Sequence, residues 1–88
     1  MALAYNLYRF EELGVSLLYR ILQLRSAVFV VEQDINYLDI DGYDEQCRHV
    51  CLMESDKLIG YARIVPPGVK FEQPAVGRLV VDAAHRGR

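Results

Sequence analysis

Residues 75–88 read AVGRLVVDAAHRGR. The first half of this stretch is rich in valine and predicts a β-strand over 75–82. Arg86, Gly87 and Arg88 follow it in the pattern with which a phosphate-binding turn begins ahead of a helix. Glycine lets the backbone approach an anion, and a helix N-terminus presents free N–H groups to it. The stretch therefore predicts a core strand that ends in an anion-binding turn.

Composition places the chain among small globular domains. It has 88 residues, of which 52% are hydrophobic and 25% charged, with a formal net charge of −2. An acidic balance predicts no nucleic-acid partner and no attraction to an anionic membrane, and the apolar runs are expected to fall short of a membrane span. Cys47 and Cys51 are too few for a disulfide scaffold and are expected to be reduced thiols of a cytoplasmic protein.

A helix over 16–32 is the clearest element that the sequence predicts. Apolar residues recur at spacings of four and three, which indicates one buried stripe, and Ser16 suits the N-cap. The stripe that we expect to face a sheet consists of Leu17, Ile21, Leu24, Val28 and Val31. The opposite, solvent-facing side carries Arg20, Gln23 and Ser26.

Short β-rich runs predict further strands at 5–10, 49–54 and 58–65, the last two joined by a hairpin turn at 55–57. Residues 33–47 have no periodic pattern and read as a long ordered loop, which is a feature often linked to function. The fold class predicted from this order is α/β of the α+β type, a mixed and mainly antiparallel sheet with a helix packed on it.

Four stretches, in this order, resemble the GNAT acetyltransferase superfamily and, within it, the ElaA-like proteins. They are LRSAVFVVEQ at 24–33, YLDIDGYD at 37–44, GYARI at 60–64, and GRLVV at 77–81 running into RGR at 86–88. The resemblance implies the acyl-CoA N-acyltransferase (GNAT) fold in truncated form, with residues 1–88 as the N-terminal part of a single GNAT domain. We expect that part alone not to bind coenzyme A tightly, because a phosphate site needs several N–H groups of a helix N-terminus. An apolar face left open would favour a homodimer.

The same resemblance implies an acetyl-CoA-dependent N-acetyltransferase that acts on a small-molecule or protein amine, with acetyl-CoA as cosubstrate. The residues it implies for coenzyme A are Leu79, Val80 and Val81 along the strand and Arg86, Gly87 and Arg88 in the turn. The general base stays unassigned because the strand has no glutamate inside it. The general acid stays unassigned because the resemblance places the tyrosine that protonates the leaving group in the second half of the domain.

The acidic loop also resembles the acyl-homoserine-lactone synthases, which share the fold and bury an ionic network of acids and arginines. The residues that carry this likeness are Asp39, Asp41 and Asp44 in the loop and Arg25, Arg63 and Arg78 outside it. We expect Arg25 and Arg63 to pair with Asp41 and Asp44. Synthesis of acyl-homoserine lactones therefore stays open as a second function. Its acyl-carrier donor would need a basic docking surface, which the acidic composition of this chain does not suggest. A non-catalytic binding or assembly role is the third.

Three residues are candidates for an amine-accepting pocket: Glu32, Tyr37 and Arg63. No metal site is predicted. Cys47, His49 and Cys51 alternate along a strand and share a face, but a fourth ligand at a common zinc spacing is lacking. His49 is instead expected to face the loop carboxylates.

Overall fold

A computed structural model describes residues 3–34 and 38–85. Four strands are present in it: β1 (Leu3–Arg9), β2 (Arg48–Glu54), β3 (Lys57–Val65) and β4 (Ala75–Val81). Helix α1 (Gly14–Arg25) continues without a break as a π-helical segment, Ser26–Glu32. Short 3-10 turns occupy Phe10–Glu12, Asp44–Gln46 and Ala83–His85.

The strands form one sheet in the order β1-β2-β3-β4, and every pairing between the described strands is antiparallel. Strands β2 and β3 are joined at Ser55 and Asp56, so the predicted hairpin is confirmed. With α1 packed on one face of this sheet, the α+β class and the acyl-CoA N-acyltransferase fold are confirmed.

The core lies between the helix and one face of the sheet. Ile21 of α1 and Val28 of the π segment pack there with Cys51, Tyr61 and Val80, one residue from each of β2, β3 and β4. Because side chains alternate along a strand, the neighbouring residues point to the other face of the sheet. Within the described residues that second face has no helix on it.

The predicted helix stripe is confirmed over most of its length but is wrong at its end. Ile21 and Val28 are buried, whereas Val31 is 77% exposed. The cause is the π segment, in which the N–H of Gln33 donates to the carbonyl oxygen of Val28 at 2.9 Å. Turns closed from residue i to i+5 hold more residues than α-helical turns, so a spacing of three no longer returns to the same face.

The start of the helix and its polar face also differ in detail from the prediction. Helix α1 begins at Gly14, so Ser16 lies inside the first turn and is not the N-cap. Gln23 and Ser26 are exposed as predicted. Arg20 is only partly exposed, because its Nη1 donates to the carbonyl oxygen of Asp56 at 2.6 Å and so ties the helix to the β2–β3 hairpin.

The expectation that the apolar runs fall short of a membrane span needs correction. The continuous helical segment Gly14–Glu32 is 19 residues long and, by length and composition alone, could cross a membrane. In the described structure it is the helix that packs on the sheet, and its fully buried residues include Arg25. The core helix of a soluble protein and a signal sequence near the N-terminus meet the same two criteria.

Candidate functional site

Strand β4 carries an irregularity at the point where the sequence predicts a cofactor contact. The antiparallel ladder with β3 shifts there, so that Arg78 and Leu79 together lie opposite Ala62. Such a β-bulge takes one residue out of the regular ladder and bends its strand. Arg78 has a φ of 52°, in the left-handed region that residues other than glycine seldom adopt. Because β4 is an outer strand of the described sheet, the bulge lies at its edge.

An ionic network lies against this bulge. Three arginines, one each from α1, β3 and β4, meet three aspartates of the loop that precedes β2. The members are Arg25, Arg63, Arg78, Asp39, Asp41 and Asp44, and no side chain among them is more than 14% exposed. Their formal charges cancel, which is the condition under which ionised side chains are tolerated in an interior.

Arg25 fastens the helix to the loop with all three nitrogens of its guanidinium. Its Nε and Nη1 donate to the carboxylates of Asp39 and Asp44 at 3.1 and 2.8 Å, and its Nη2 donates to the carbonyl oxygen of Asp39 at 2.7 Å. The guanidinium carbon also lies 5.8 Å from the centroid of the Tyr61 ring. Burial alone would lower the pKa of Arg25, but its pairing with Asp44 outweighs that effect and raises it.

Arg63 binds Asp41 in a bidentate manner, with both contacts at 2.8 Å, and also donates to Asp44 at 3.1 Å. Hydrogen bonding from Arg63 holds the pKa of Asp41 well below its usual range. The predicted pairing of Arg25 and Arg63 with Asp41 and Asp44 is therefore confirmed. Arg63, also a candidate for the amine pocket, is only 1% exposed, and the structure places it inside the network.

Arg78 attaches the bulged strand to the same loop. Its Nε donates to Asp39 Oδ1 at 2.9 Å, and its Nη2 reaches the carbonyl oxygen of Asp39 at 3.1 Å and Asp41 Oδ2 at 3.2 Å. The sequence places Arg78 next to the network motif but assigns it no partner. The positive charge of Arg78 could have indicated this contact, because an arginine inside a core strand needs an anion close by.

His49 is held by two hydrogen bonds. Its Nε2 lies 2.9 Å from the carbonyl oxygen of Asp44, which can only accept, so this nitrogen donates and carries the proton. Its Nδ1 then accepts from the Tyr61 hydroxyl at 2.6 Å. Burial lowers the pKa of His49, which favours this neutral form. The predicted orientation toward the loop is confirmed, although the contact is to backbone.

The two cysteines beside His49 are buried thiols. Burial raises the pKa of Cys47, and it raises that of Cys51 to about 11. Within residues 3–34 and 38–85, no three His, Cys, Asp or Glu side chains are grouped so that they could hold a metal ion. Both nitrogens of His49 are already hydrogen-bonded, so the alternating pattern serves packing here.

The other predicted site residues are placed as follows. Leu79 has a side chain that is 72% exposed, Val80 is buried toward the helix, and Val81 is half-buried. Glu32 lies exposed at the end of the π segment. Tyr37, Arg86, Gly87 and Arg88 lie outside the described residues.

Two cavities that sequence patterns did not indicate lie next to the acidic loop and to β4 in the described part of the chain. A volume of about 190 Å³ lies between α1 and the acidic loop, lined by Leu18, Leu22, Ile40 and Asp44 among others. A second, of about 150 Å³, lies on the second face of the sheet and includes the bulge residue Leu79 in its wall.

Comparison with known proteins extends this picture. Residues 24–74 match the family described as "Acetyltransferase (GNAT) domain". "Protein ElaA" of Escherichia coli K12 is 49% identical over 79 residues, which are 88% of this chain and 52% of that protein. A UPF0039 protein of Synechocystis is 36% identical over 88 residues, covering 99% of this chain and 57% of its own length.

Two crystal structures superpose on nearly the whole chain. The structure of Escherichia coli ElaA has a TM-score of 0.91 at 43% identity, over 99% of this chain and 60% of the other. An acyl-CoA N-acyltransferase from Pseudomonas aeruginosa has a TM-score of 0.90 at 34% identity, over 99% of this chain and 61% of the other. The chain spans about half the length of the curated relatives it matches.

Proposed function

Because the chain belongs to the GNAT acetyltransferase family, we propose that its domain transfers an acetyl group from acetyl-CoA to an amine of a small molecule or of a protein. The observation that carries this proposal is the bulged outer strand β4. We further propose that residues 1–88 supply the N-terminal part of a single domain of this family. The share of the relatives' length that the chain spans supports this division.

The pantetheine arm of the donor suits an outer strand. It carries amide groups that can pair with backbone groups as an added strand would, and Leu79, Val80 and Val81 offer such groups along β4. Arg86 and Arg88, with Gly87 between them, are our candidates for the pyrophosphate. Their charges and the flexible glycine suit an anion.

The chemistry that we propose is direct transfer. The nitrogen lone pair of the amine attacks the thioester carbonyl, and a tetrahedral oxyanion forms. This intermediate then expels the coenzyme A thiolate as the C–S bond breaks. The amine proton passes to a base, and the thiolate takes up a proton. A backbone N–H released from the ladder by the bulge would stabilise the oxyanion, because a preorganised donor outside water stabilises developing charge strongly.

For the acceptor amine we propose a pocket that includes Glu32 and Tyr37. Glu32 is exposed, so its carboxylate could attract an ammonium group before deprotonation. Arg63 would act behind this pocket, because its guanidinium is paired with Asp41 and Asp44 and is withdrawn from solvent.

Calorimetric titration of the complete domain with acetyl-CoA tests the donor, and thiol release in the presence of a panel of amines tests the transfer. Replacing both Arg86 and Arg88 by alanine should weaken acetyl-CoA binding by about tenfold or more, since each charged hydrogen bond contributes about 1.5–3 kcal/mol. The control is Arg48→Ala, which removes an exposed arginine from β2. If acetyl-CoA does not bind, or if the control weakens binding equally, the proposal is wrong.

Acyl-homoserine-lactone synthesis is a second candidate because the ionic network implied by that resemblance is present. An acyl-carrier-protein thioester should then replace acetyl-CoA as the better donor in the same thiol-release assay. Preference for acetyl-CoA would reject this alternative.

The remaining proposals concern partners and location. A cytoplasmic location is supported by two thiols that are free and buried. A homodimer, or a non-catalytic assembly role, would use the second sheet face, where Tyr5, Leu7 and Leu79 are exposed. Analytical ultracentrifugation of the domain decides between monomer and dimer. We keep the predictions that neither nucleic acid nor membrane is a partner.

A further inference from the structure

The left-handed conformation of Arg78 needs an explanation from outside its own strand. Arginine has no intrinsic preference for a positive φ, whereas glycine or asparagine would reach it easily. In this chain the conformation occurs at the point where two residues of β4 oppose Ala62. A conformation of this kind persists when the surrounding contacts over-determine it.

Those contacts come from the acidic loop. The Nε of Arg78 donates to the side chain of Asp39 at 2.9 Å, and its Nη2 donates to the backbone carbonyl of Asp39 at 3.1 Å. Asp39 is itself 7% exposed and is held on its other side by Arg25, whose side chain is fully buried. A continuous line of charge-assisted hydrogen bonds thus runs from the helix, through one aspartate, to the bulge of β4.

We propose that Asp39 and Arg78 are positioning residues that fix the β4 bulge. The link to catalysis rests on the proposed function, because the bulge would present backbone groups to the acyl thioester. Catalytic donors must be held to a fraction of an ångström, and a misplacement of about 1 Å can lower a rate by about 100-fold. The network therefore does more than neutralise charge: it sets the backbone geometry of the strand beside the donor.

This proposal separates Arg78 from the other arginines of the network. Arg25 and Arg63 bind the loop from the helix and from β3, so their loss loosens the loop. Arg78 lies in the bulge itself. A lysine at this position would keep the positive charge but could not form the planar fork that holds Asp39 at two atoms.

The test compares Arg78→Lys and Asp39→Asn with wild type in the complete domain. We expect amide hydrogen exchange in residues 76–81 to be at least about tenfold faster in both variants, because the bulge opens locally. We expect kcat for acetyl transfer to fall by about 10- to 100-fold. KM for the amine should change little, because neither side chain contacts the acceptor in this scheme.

Two controls separate positioning from general destabilisation. Leu13→Ala removes a core side chain at the start of α1, where Leu13 is 5% exposed, and so lowers stability without touching the network. Lys70→Gln removes the outer cation that lies 3.4 Å from Asp41. Neither control should selectively speed amide hydrogen exchange at 76–81. Any loss of kcat in the controls should be no larger than the fraction of the protein that is unfolded.

The outcomes are distinct. Unchanged exchange at 76–81 in Arg78→Lys would overturn the proposal, as would an equal loss of kcat in Leu13→Ala at matched stability. If wild type shows no acetyl transfer, the proposed function fails. Hydrogen exchange alone then decides whether Asp39 and Arg78 hold the bulge.

Discussion

His49 is a titratable side chain that its surroundings keep neutral. It donates to the carbonyl oxygen of Asp44 and accepts from the Tyr61 hydroxyl, and burial lowers its pKa. When the pH falls through about 6.5, the unfolded chain takes up a proton at this residue while the folded chain does not. The unfolded state is thereby favoured, so the free energy of unfolding decreases with falling pH.

Replacing His49 by glutamine should therefore flatten this pH dependence. We expect a smaller loss of unfolding free energy between about pH 7.5 and about pH 5.5 than in wild type. The variant itself should be less stable by about 1–3 kcal/mol at neutral pH, because buried partners lose a hydrogen bond. Urea denaturation at a series of pH values measures both effects.

The control for this experiment is His85→Gln, which alters the second histidine of the chain and keeps His49. It should retain the loss of stability that His49 causes. A pH dependence that is the same in His49→Gln and in wild type would contradict the assignment.

The helical segment shows how an element can change its own periodicity. Helix α1 obeys the spacing of four and three, and Ile21 is fully buried. Arg25 is also fully buried, although a charged residue was not expected on the stripe. Past it the backbone forms π turns, so that Val28 is still buried while Val31, three residues further on, points away from the sheet.

Two valines of the π segment provide a matched test. Val28→Ala removes a buried side chain and should lower the free energy of unfolding by about 1–3 kcal/mol. Val31→Ala changes a side chain that is 77% exposed and should stay within about 0.5 kcal/mol of wild type. Chemical denaturation of both variants measures the difference. Equal losses would mean that the α-helical spacing continues to residue 31.

At the scale of the whole molecule, the ionic network joins elements that are far apart in the chain. It links α1, β3 and β4 to one loop, and the Arg78–Asp39 contact spans 39 residues. Asp44 occupies a central place in it, because its Oδ1 accepts from Arg25 at 2.8 Å and from Arg63 at 3.1 Å. The loop is therefore expected to unfold together with the sheet rather than before it.

Asp44→Asn should accordingly destabilise the entire fold. It leaves two buried arginines short of an anion, and breaking a buried ion pair in this way costs about 3–5 kcal/mol. The neighbouring variant Glu45→Gln is the control, because Glu45 is exposed, and it should change stability by less than about 0.5 kcal/mol. Urea unfolding followed by circular dichroism measures both. A loss below about 1 kcal/mol in Asp44→Asn would show that the network contributes little.

The sequence by itself determined the class of fold and the order of its elements. Alternation and helical spacing are local patterns, so they identified α1 and the four strands of the described residues to within a few residues. Through the resemblance to the acyl-homoserine-lactone synthases, the sequence also predicted the pairing of Arg25 and Arg63 with Asp41 and Asp44. A long polar loop needs specific ionic ties to stay ordered.

Only the tertiary structure decided the π turns after Arg25, the hydrogen-bond partners of His49 and the bulge at Arg78. Each of these features either opposes the conformational preference of its own residues or leaves no mark in the sequence pattern. The positive φ of Arg78 has no support from its own residue type, and it is held by contacts to Asp39 and Asp41, which lie 39 and 37 residues away. Contacts at that separation exist only once the helix, the loop and the sheet have come together, and this is why no local pattern foretold them.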